Sequence, residues 1–368
     1  MDFALSEEQQ LLAESLRRFI EEEMPISSIR DRVEKQHGHD GGHWKALAEF
    51  GVAGLMVPEE HGGSGLGLLD AMVAAEVLGW GVVPSPFLST AVLLPVALAS
   101  AGSDEQRASW LPRVATGDLR IGAAITELVT QREGAGIETR NGKLHGRALM
   151  VLDAVEADCF LVAADAGTSL ALVDANADGL SVTALRTIDR TRGFAALDFA
   201  GVAVAEWIGE PGKGAATCRR LLDAGRTMLA ADILGASERA LAKAVEYSLE
   251  RKQFDRVIGS FQAVKHLCAE MVAELEPARS LVWFAAHAFD AVPEEASLMA
   301  AHAKAHLSEI GPFIVRTATE VHGGIGFTDE QNLHYWFKRV GVDRQLLGSP
   351  EATREDSAEL QGWISNAN

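Results

Sequence analysis

The sequence is short of cysteine, of aromatic residues and of positive charge. Its three cysteines, Cys159, Cys218 and Cys268, lie far apart and form no CxxC pair, so neither a disulfide framework nor a zinc site is predicted. Lys and Arg number 33 against 52 Asp and Glu, which gives a formal net charge of −19. A surface of that sign repels phosphate backbones, and a nucleic-acid partner is therefore not expected.

Long uninterrupted apolar runs are also missing. The most apolar stretch, residues 82–101, contains Pro84, Pro86 and Pro95, so no membrane span is predicted. The first ten residues, MDFALSEEQQ, are acidic and polar and do not resemble a signal peptide. On these grounds we expect a cytoplasmic protein.

Two common kinds of catalytic motif are absent. None of the eleven histidines has a metal-ligand spacing such as HExxH, so no metal site is expected. The sequence has no GxSxG turn either, and an α/β-hydrolase is therefore unsupported. The remaining candidates for a functional site are the glycine-rich and basic segments.

The organisation along the chain changes twice. Hydrophobic residues make up 48% and charged residues 23% of 368 residues, as in globular proteins of two or three domains. Helical periodicity dominates residues 1–118, short β-type runs with turns fill residues 119–213, and long helical segments fill residues 214–368. We therefore predict an N-terminal helical domain, a small β domain and a C-terminal four-helix bundle, an α+β fold.

Several segments are candidate ligand contacts. GEPGKG (209–214) lacks the spacing of a phosphate loop and indicates a turn before a helix. HGGIGFT (322–328) is consistent with close backbone approach to a ligand or with a helix C-cap. HGGSGLG (61–67), taken on its own, indicates only a flexible connector. RKQFDRVIGSFQAVKH (251–266) places Arg251 where its guanidinium could pair with a pyrophosphate, although a solvated turn between helices explains it as well.

Four segments together resemble the acyl-CoA dehydrogenase family along essentially the whole chain. They are FALSEEQQLLAESLRRFIEEE, GLMVPEEHGGSGLG, RKQFDRVIGSFQAVKHLCAEM and HGGIGFTDE, and they follow one another in the family's order. The resemblance implies FAD as cofactor, an acyl-CoA substrate, an electron-transfer flavoprotein as electron acceptor, and a homo- or heterotetramer in which two subunits build each FAD site.

The resemblance also implies a set of site residues. FAD contacts would come from Thr126, Arg251, Gln253, Phe254, Gln262, Glu320, Gly323 and Gly324. Asp223 and Arg226 match family positions at the acyl-CoA cleft. In the family reaction a carboxylate removes the α-proton of the thioester while the β-hydrogen leaves as hydride to the flavin, so the base must be a positioned carboxylate.

The sequence departs from the family at that base. The usual glutamate position aligns with Gly348, and the alternative position, just before Arg226, aligns with Gly225. A small shift of the alignment would make Glu351, Asp343 or Asp223 the base. Met150 stands where an aromatic often lies over the flavin, Glu320 replaces a common glutamine, and TEL replaces TEP at 126–128.

Three functions remain open on the sequence. The chain is either an active acyl-CoA dehydrogenase with an unrecognised base or a non-catalytic subunit that completes the FAD site of a heteromeric acyl-CoA dehydrogenase. It resembles base-less subunits of bacterial heterotetrameric enzymes, some of which act on steroid side-chain thioesters. A third function, nitroalkane oxidation, needs an aspartate base, and Gly348 argues against it.

Overall fold

The N-terminal segment is helical. The computed structural model describes residues 4–35, 41–129 and 132–364. The helices of this segment are α1 (Glu7–Glu23), α2 (Ile26–Lys35), α3 (Gly41–Phe50), α4 (Leu68–Trp80), α5 (Leu94–Ala101) and α6 (Asp104–Ala115), with a π-helical turn at Phe87–Leu93 before α5. The Ser6 and Gln9 side chains each accept a hydrogen bond from the other's backbone N–H, and this capping box starts α1 as its sequence predicts.

Eight strands form two four-stranded sheets in the middle of the chain. They are β1 (Ile121–Ala124), β2 (Gly136–Arg140), β3 (Lys143–Val151), β4 (Cys159–Ala164), β5 (Ser169–Asp174), β6 (Leu180–Leu185), β7 (Phe194–Ala203) and β8 (Glu206–Trp207). The sheet orders are β1-β4-β5-β8 and β2-β3-β7-β6. Every strand pair in these two sheets is antiparallel except β1 and β4, which run parallel with Ile121 opposite Cys159.

The C-terminal segment contains the longest helices. They are α7 (Ala215–Glu250), α8 (Gln262–Ala291), α9 (Pro293–His322), α10 (Leu333–Asp343) and α11 (Pro350–Leu360), and a small hairpin of β9 (Lys252–Gln253) and β10 (Arg256–Val257) connects α7 to α8. Pro277 and Pro312 lie inside α8 and α9 and end neither helix.

Helix α4 crosses α7 at very close range. A Cβ on Gly235 would overlap the carbonyl oxygen of Glu76, and a Cβ on Gly79 would overlap that of Asp232. Only glycine permits such an approach of two backbones. The N-terminal helices and the C-terminal bundle consequently share one hydrophobic core, which also includes β1 and β4 residues such as Ile121 and Leu161.

A buried arginine ties the three segments together. Arg339 of α10 is 1% exposed and forms ion pairs at 3.0 Å with Asp189 of the β segment and Asp232 of α7. It also donates to the Thr191 hydroxyl and to the Val83 carbonyl oxygen. Because buried charges need such partners, this network fixes how the β segment sits on the bundle.

Candidate functional site

The turn between α10 and α11 contains Gly348, which the resemblance aligns with the family's usual glutamate. Leu347 and Gly348 both have positive φ angles, +54° and +113°, and a left-handed conformation at a buried leucine costs free energy unless its surroundings impose it. Arg226 Nε donates to the Leu347 carbonyl oxygen at 3.0 Å, and Lys304 Nζ donates to that of Gly348 at 3.0 Å. Two buried cations therefore hold the turn in place.

Lys304 makes all its hydrogen bonds to uncharged oxygens. Besides the Gly348 carbonyl, its ammonium donates to the Ser308 hydroxyl at 2.9 Å and to the Arg344 carbonyl at 3.0 Å. Burial lowers the pKa of Lys304 to about 7. Three acceptors match the three protons of an ammonium, so the geometry itself favours the charged form.

Arg226 belongs to a second ionic network on α7 and α11. It pairs with Asp356, which also accepts from Arg219 Nη1 at 2.9 Å. Arg219 Nε in turn pairs with Asp223 at 2.9 Å, one turn along α7. Burial lowers the pKa of Arg226, and burial raises that of Asp223.

None of the three proposed substitute carboxylates is free of other partners. Asp223 accepts hydrogen bonds from Arg219 and from the Ser297 hydroxyl. Asp343 is completely buried and pairs with Arg192 at 2.9 Å. Glu351 has a side chain that is 69% exposed and lies 3.7 Å from Arg344. Asp223 and Asp343 are therefore engaged in ion pairs and Glu351 lies in solvent, so none of the three is placed as a free general base.

The alternative base position is closed by packing. A Cβ on Gly225 would overlap Leu347 Cδ1 and would lie 3.8 Å from Leu93 Cδ2. The space into which a side chain at 225 would project is filled by Leu347.

Thr126 lies at the end of β1, on the sheet side of the predicted flavin site. It is buried, and its hydroxyl donates to the Leu149 carbonyl oxygen at 2.8 Å, while Glu127 accepts from the Leu149 N–H at 2.8 Å. The next residue, Met150, has a φ of +56°. The hydroxyl oxygen of Thr126 keeps its acceptor capacity for a ligand.

The other predicted FAD contacts lie at one end of the bundle. Arg251, Gln253, Phe254, Gln262, Glu320, Gly323 and Gly324 are all exposed. The Tyr247 and His322 rings stack at 4.6 Å, which places the end of α7, and hence the hairpin, beside the end of α9. Among the described residues, no hydrogen bond, ion pair or ring contact joins this group to Thr126.

This end of the bundle fits half of a dinucleotide site. Phe254 is 87% and Phe327 78% exposed, although large aromatics usually avoid water. A Cβ on Gly323 or Gly324 would meet nothing within 4 Å, so a ligand has access to the backbone there. A free guanidinium at Arg251 has the donor geometry that a pyrophosphate requires. Among the predicted FAD contacts, Glu320 has the wrong sign for a phosphate.

The described residues contain neither a membrane-spanning helix nor a metal-binding cluster. No helix in ranges 4–35, 41–129 and 132–364 is long and apolar enough to cross a membrane. The same residues contain no group of three or more His, Cys, Asp or Glu side chains placed to hold a metal ion.

Comparison with known proteins identifies the family. The acyl-CoA dehydrogenase N-terminal domain profile matches residues 6–118 and the C-terminal domain profile matches residues 212–361. "Acyl-CoA dehydrogenase IpdE2" of Mycolicibacterium smegmatis is 32% identical over 362 residues, covering 97% of this chain and 100% of that protein.

Two solved structures have a fold similar to that of this chain. A variant of the Tcur3481-Tcur3483 steroid ACAD (acyl-CoA dehydrogenase) superposes with a TM-score of 0.87 at 30% identity, covering 97% of this chain and 98% of that one. PigA with FAD and proline superposes with a TM-score of 0.87 at 26% identity, covering 98% and 99%.

The chain belongs to the acyl-CoA dehydrogenase family. It is an FAD-dependent oxidoreductase of the acyl-CoA dehydrogenase type, as the sequence resemblance implied. The predicted fold class is confirmed, and one of the similar structures is that of a steroid acyl-CoA dehydrogenase.

The sequence interpretation missed three residues of the Gly348 environment. Lys304, Arg219 and Asp356 appear in none of the recognised motifs. Arg219, Asp223 and Arg226 are spaced four and three residues apart on α7, a spacing that puts them on one helix face. That periodicity could have revealed the network, whereas nothing local marks Lys304.

Proposed function

We propose that this chain holds FAD across a surface completed by a second polypeptide and acts on an acyl-CoA thioester beside the Leu347–Gly348 turn. The observation that carries the proposal is the exposed group at the end of the bundle, where Arg251, Phe254 and the open Gly323–Gly324 backbone lie together. Exposed aromatics of this size are typical of surfaces that another molecule covers.

Each residue of the exposed group has a role in this proposal. Arg251 pairs with the pyrophosphate, Phe254 stacks on a flat ring, and Gly323 and Gly324 allow the cofactor to approach the backbone. Gln253 and Gln262 offer amide donors, and Glu320 lies along the adenosine half. Thr126 of the other polypeptide faces the flavin ring.

The substrate contacts come from the cleft around α7. FAD, when bound, accepts the hydride that leaves the β-carbon of the thioester. Arg226 and Asp223 are buried in one ion network; in this proposal they set the field of the substrate cleft and exclude water from it. We further propose a cytoplasmic tetramer that delivers its electrons to an electron-transfer flavoprotein.

A second candidate function has one structural observation in its favour. Among the described residues, positions 225 and 348 carry no side chain, and the nearby carboxylates Asp223 and Asp343 are paired with Arg219 and Arg192. A chain built in this way would complete a partner's FAD site without removing a proton itself. The relatives named as dehydrogenases support the first function more directly.

One experiment separates the two functions. The chain is purified alone and after co-expression with the products of neighbouring genes, and its flavin absorbance near 450 nm is recorded before and after anaerobic addition of acyl-CoA thioesters of increasing length. Bleaching by the chain alone establishes an active homo-oligomer. Bleaching only after co-purification establishes the heteromeric subunit, and bleaching in neither preparation contradicts acyl-CoA dehydrogenation.

A further inference from the structure

A cavity lies where the junction of α1 and α2 meets α4, α7 and α10. Its volume is about 220 Å³, and a cavity of ~150 Å³ with apolar walls already holds a benzene ring. None of the residues that line it is a predicted FAD or acyl-CoA contact. The FAD-dependent reaction therefore leaves this cavity without an assigned role.

The apolar part of the lining comes from the N-terminal helices, and the positive charge comes from α7. Ile20, Met24 and Pro25 supply aliphatic surface. Arg239 and Lys243 are four residues apart on α7, and residues with that spacing lie on the same face of a helix. A molecule in this cavity would therefore contact both aliphatic carbon and two cations.

Two buried tryptophans position the cations. The Arg239 guanidinium lies 4.6 Å from the centre of the Trp80 ring, and Lys243 Nζ lies 5.7 Å from that of the Trp336 ring. Trp336 Nε1 donates to the Trp80 carbonyl oxygen at 2.8 Å, which ties the two residues together. A ring face attracts and orients a cation, but it does not neutralise the charge.

The positive charge of Lys243 has no counter-ion. Within the part of the chain that the structure describes, its ammonium forms no ion pair and no hydrogen bond. Arg239 lies 3.8 Å from Glu246, whose side chain is 61% exposed, and Glu21 at the cavity is exposed and pairs with neither cation. Burial lowers the pKa of Lys243, and Arg239 lowers it further. The ammonium is thus partly withdrawn from water without a carboxylate beside it.

We propose that this cavity binds a small organic acid in which one ring carries a carboxylate. The carboxylate accepts from Lys243 and Arg239, and it gives the ammonium the charge-assisted contact that the chain itself does not supply. The ring lies against Ile20, Met24 and Pro25, because apolar surface that leaves water is stabilising. Acetate matches only the charge and benzamide only the ring. The site does not rest on the proposed function.

The test begins with the unaltered full chain as purified. Titration calorimetry is performed with sodium benzoate, with the neutral isostere benzamide and with sodium acetate, all at the same ionic strength. We expect saturable binding of benzoate at millimolar concentrations and at least tenfold weaker binding of the other two compounds. This comparison does not depend on the folding of any variant.

A variant then assigns the binding to this cavity. Lys243→Met removes the ammonium and keeps a flexible side chain over Trp336, and it should weaken benzoate binding about tenfold or more. Lys213→Met is the matched control, because Lys213 pairs with Glu210 and its side chain is 71% exposed. It should bind benzoate as the unaltered chain does.

Two results overturn the proposal. One is that the unaltered chain binds benzoate no better than benzamide or acetate. The other is that Lys243→Met and Lys213→Met bind benzoate equally well, which would place the acid elsewhere on the chain. Since no measurement here involves the flavin or a thioester, failure of this site and failure of the proposed function are distinguishable.

Discussion

Leu347 occupies the space into which a side chain at Gly225 would project. Leu347 Cδ1 would overlap a Cβ at position 225, and its carbonyl oxygen accepts from Arg226, the residue after Gly225. The two positions that the resemblance aligns with the family's base, 225 and 348, are therefore coupled through this contact. Leu347, in the turn that includes Gly348, packs into the space beside Gly225.

A first prediction concerns that contact. Gly225→Ala should lower the free energy of unfolding by about 1–3 kcal/mol, since an added methyl group in a filled core forces its neighbours to move. Gly341→Ala adds the same methyl group to a helix without a contact within 4 Å. It should leave stability unchanged or raise it by about 0.5–1 kcal/mol. Urea denaturation measures both values.

The double variant checks the cause. If Leu347 is the obstacle, Leu347→Ala combined with Gly225→Ala should cost less than the sum of the two single changes. Strict additivity would show that the methyl group at 225 collides with something else.

A second prediction concerns cofactor retention. Arg251→Ala should reduce the FAD content of the purified protein several-fold, because a charge-assisted contact to a pyrophosphate is lost. The side chain is exposed, so circular dichroism and thermal unfolding should not change. Arg140→Ala removes another exposed arginine, with a side chain 65% exposed, and should keep its flavin. Equal FAD content in the two variants would remove Arg251 from the site.

A third prediction concerns pH. Burial raises the pKa of Asp343 to about 7, whereas an unfolded aspartate titrates near pH ~4. Between these values the folded chain binds more protons than the unfolded chain. The free energy of unfolding should therefore fall as the pH rises from about 4 to 7.

The variant Asp343→Asn isolates that contribution. Its free energy of unfolding should fall less steeply with rising pH than that of the unaltered chain, as measured by urea denaturation at several pH values. Asp178→Asn, at an exposed position, should keep the original slope. If Asp343→Asn does not change the pH dependence of the free energy of unfolding, another group takes up the proton.

A fourth prediction concerns the junction of the three segments. Arg339→Met should destabilise the protein by about 3–5 kcal/mol, because Asp189 and Asp232 would lose a buried counter-ion. Arg140→Met, on the surface, should change stability by less than about 0.5 kcal/mol. A much smaller loss of stability in Arg339→Met would mean that Arg192 compensates for the lost charge or that water solvates the two carboxylates.

The elements that local patterns mark were predicted well. Helix α7 spans Ala215–Glu250, inside the 214–368 segment that its helical periodicity predicted. Helices α2 and α11 were not predicted. Helix α11 buries only Pro350, Thr353 and Ser357 and so carries little apolar periodicity. Helix α2 does place Ile26, Ile29 and Val33 at helical spacing, and that signal was overlooked. The parallel pairing of β1 with β4 was also missed, because strand partners far apart in sequence leave no local trace.

By itself, the sequence determined the family, the α–β–α order of the segments and the absence of a carboxylate at positions 225 and 348. Motif order and residue identity are properties of the chain, and they need no folding to be read. Only the tertiary structure decided what surrounds those glycines. Lys304, Arg226 and Leu347 meet there from α9, α7 and the turn before α11. Side chains more than forty residues apart come together through packing, so no sequence pattern specifies their contacts.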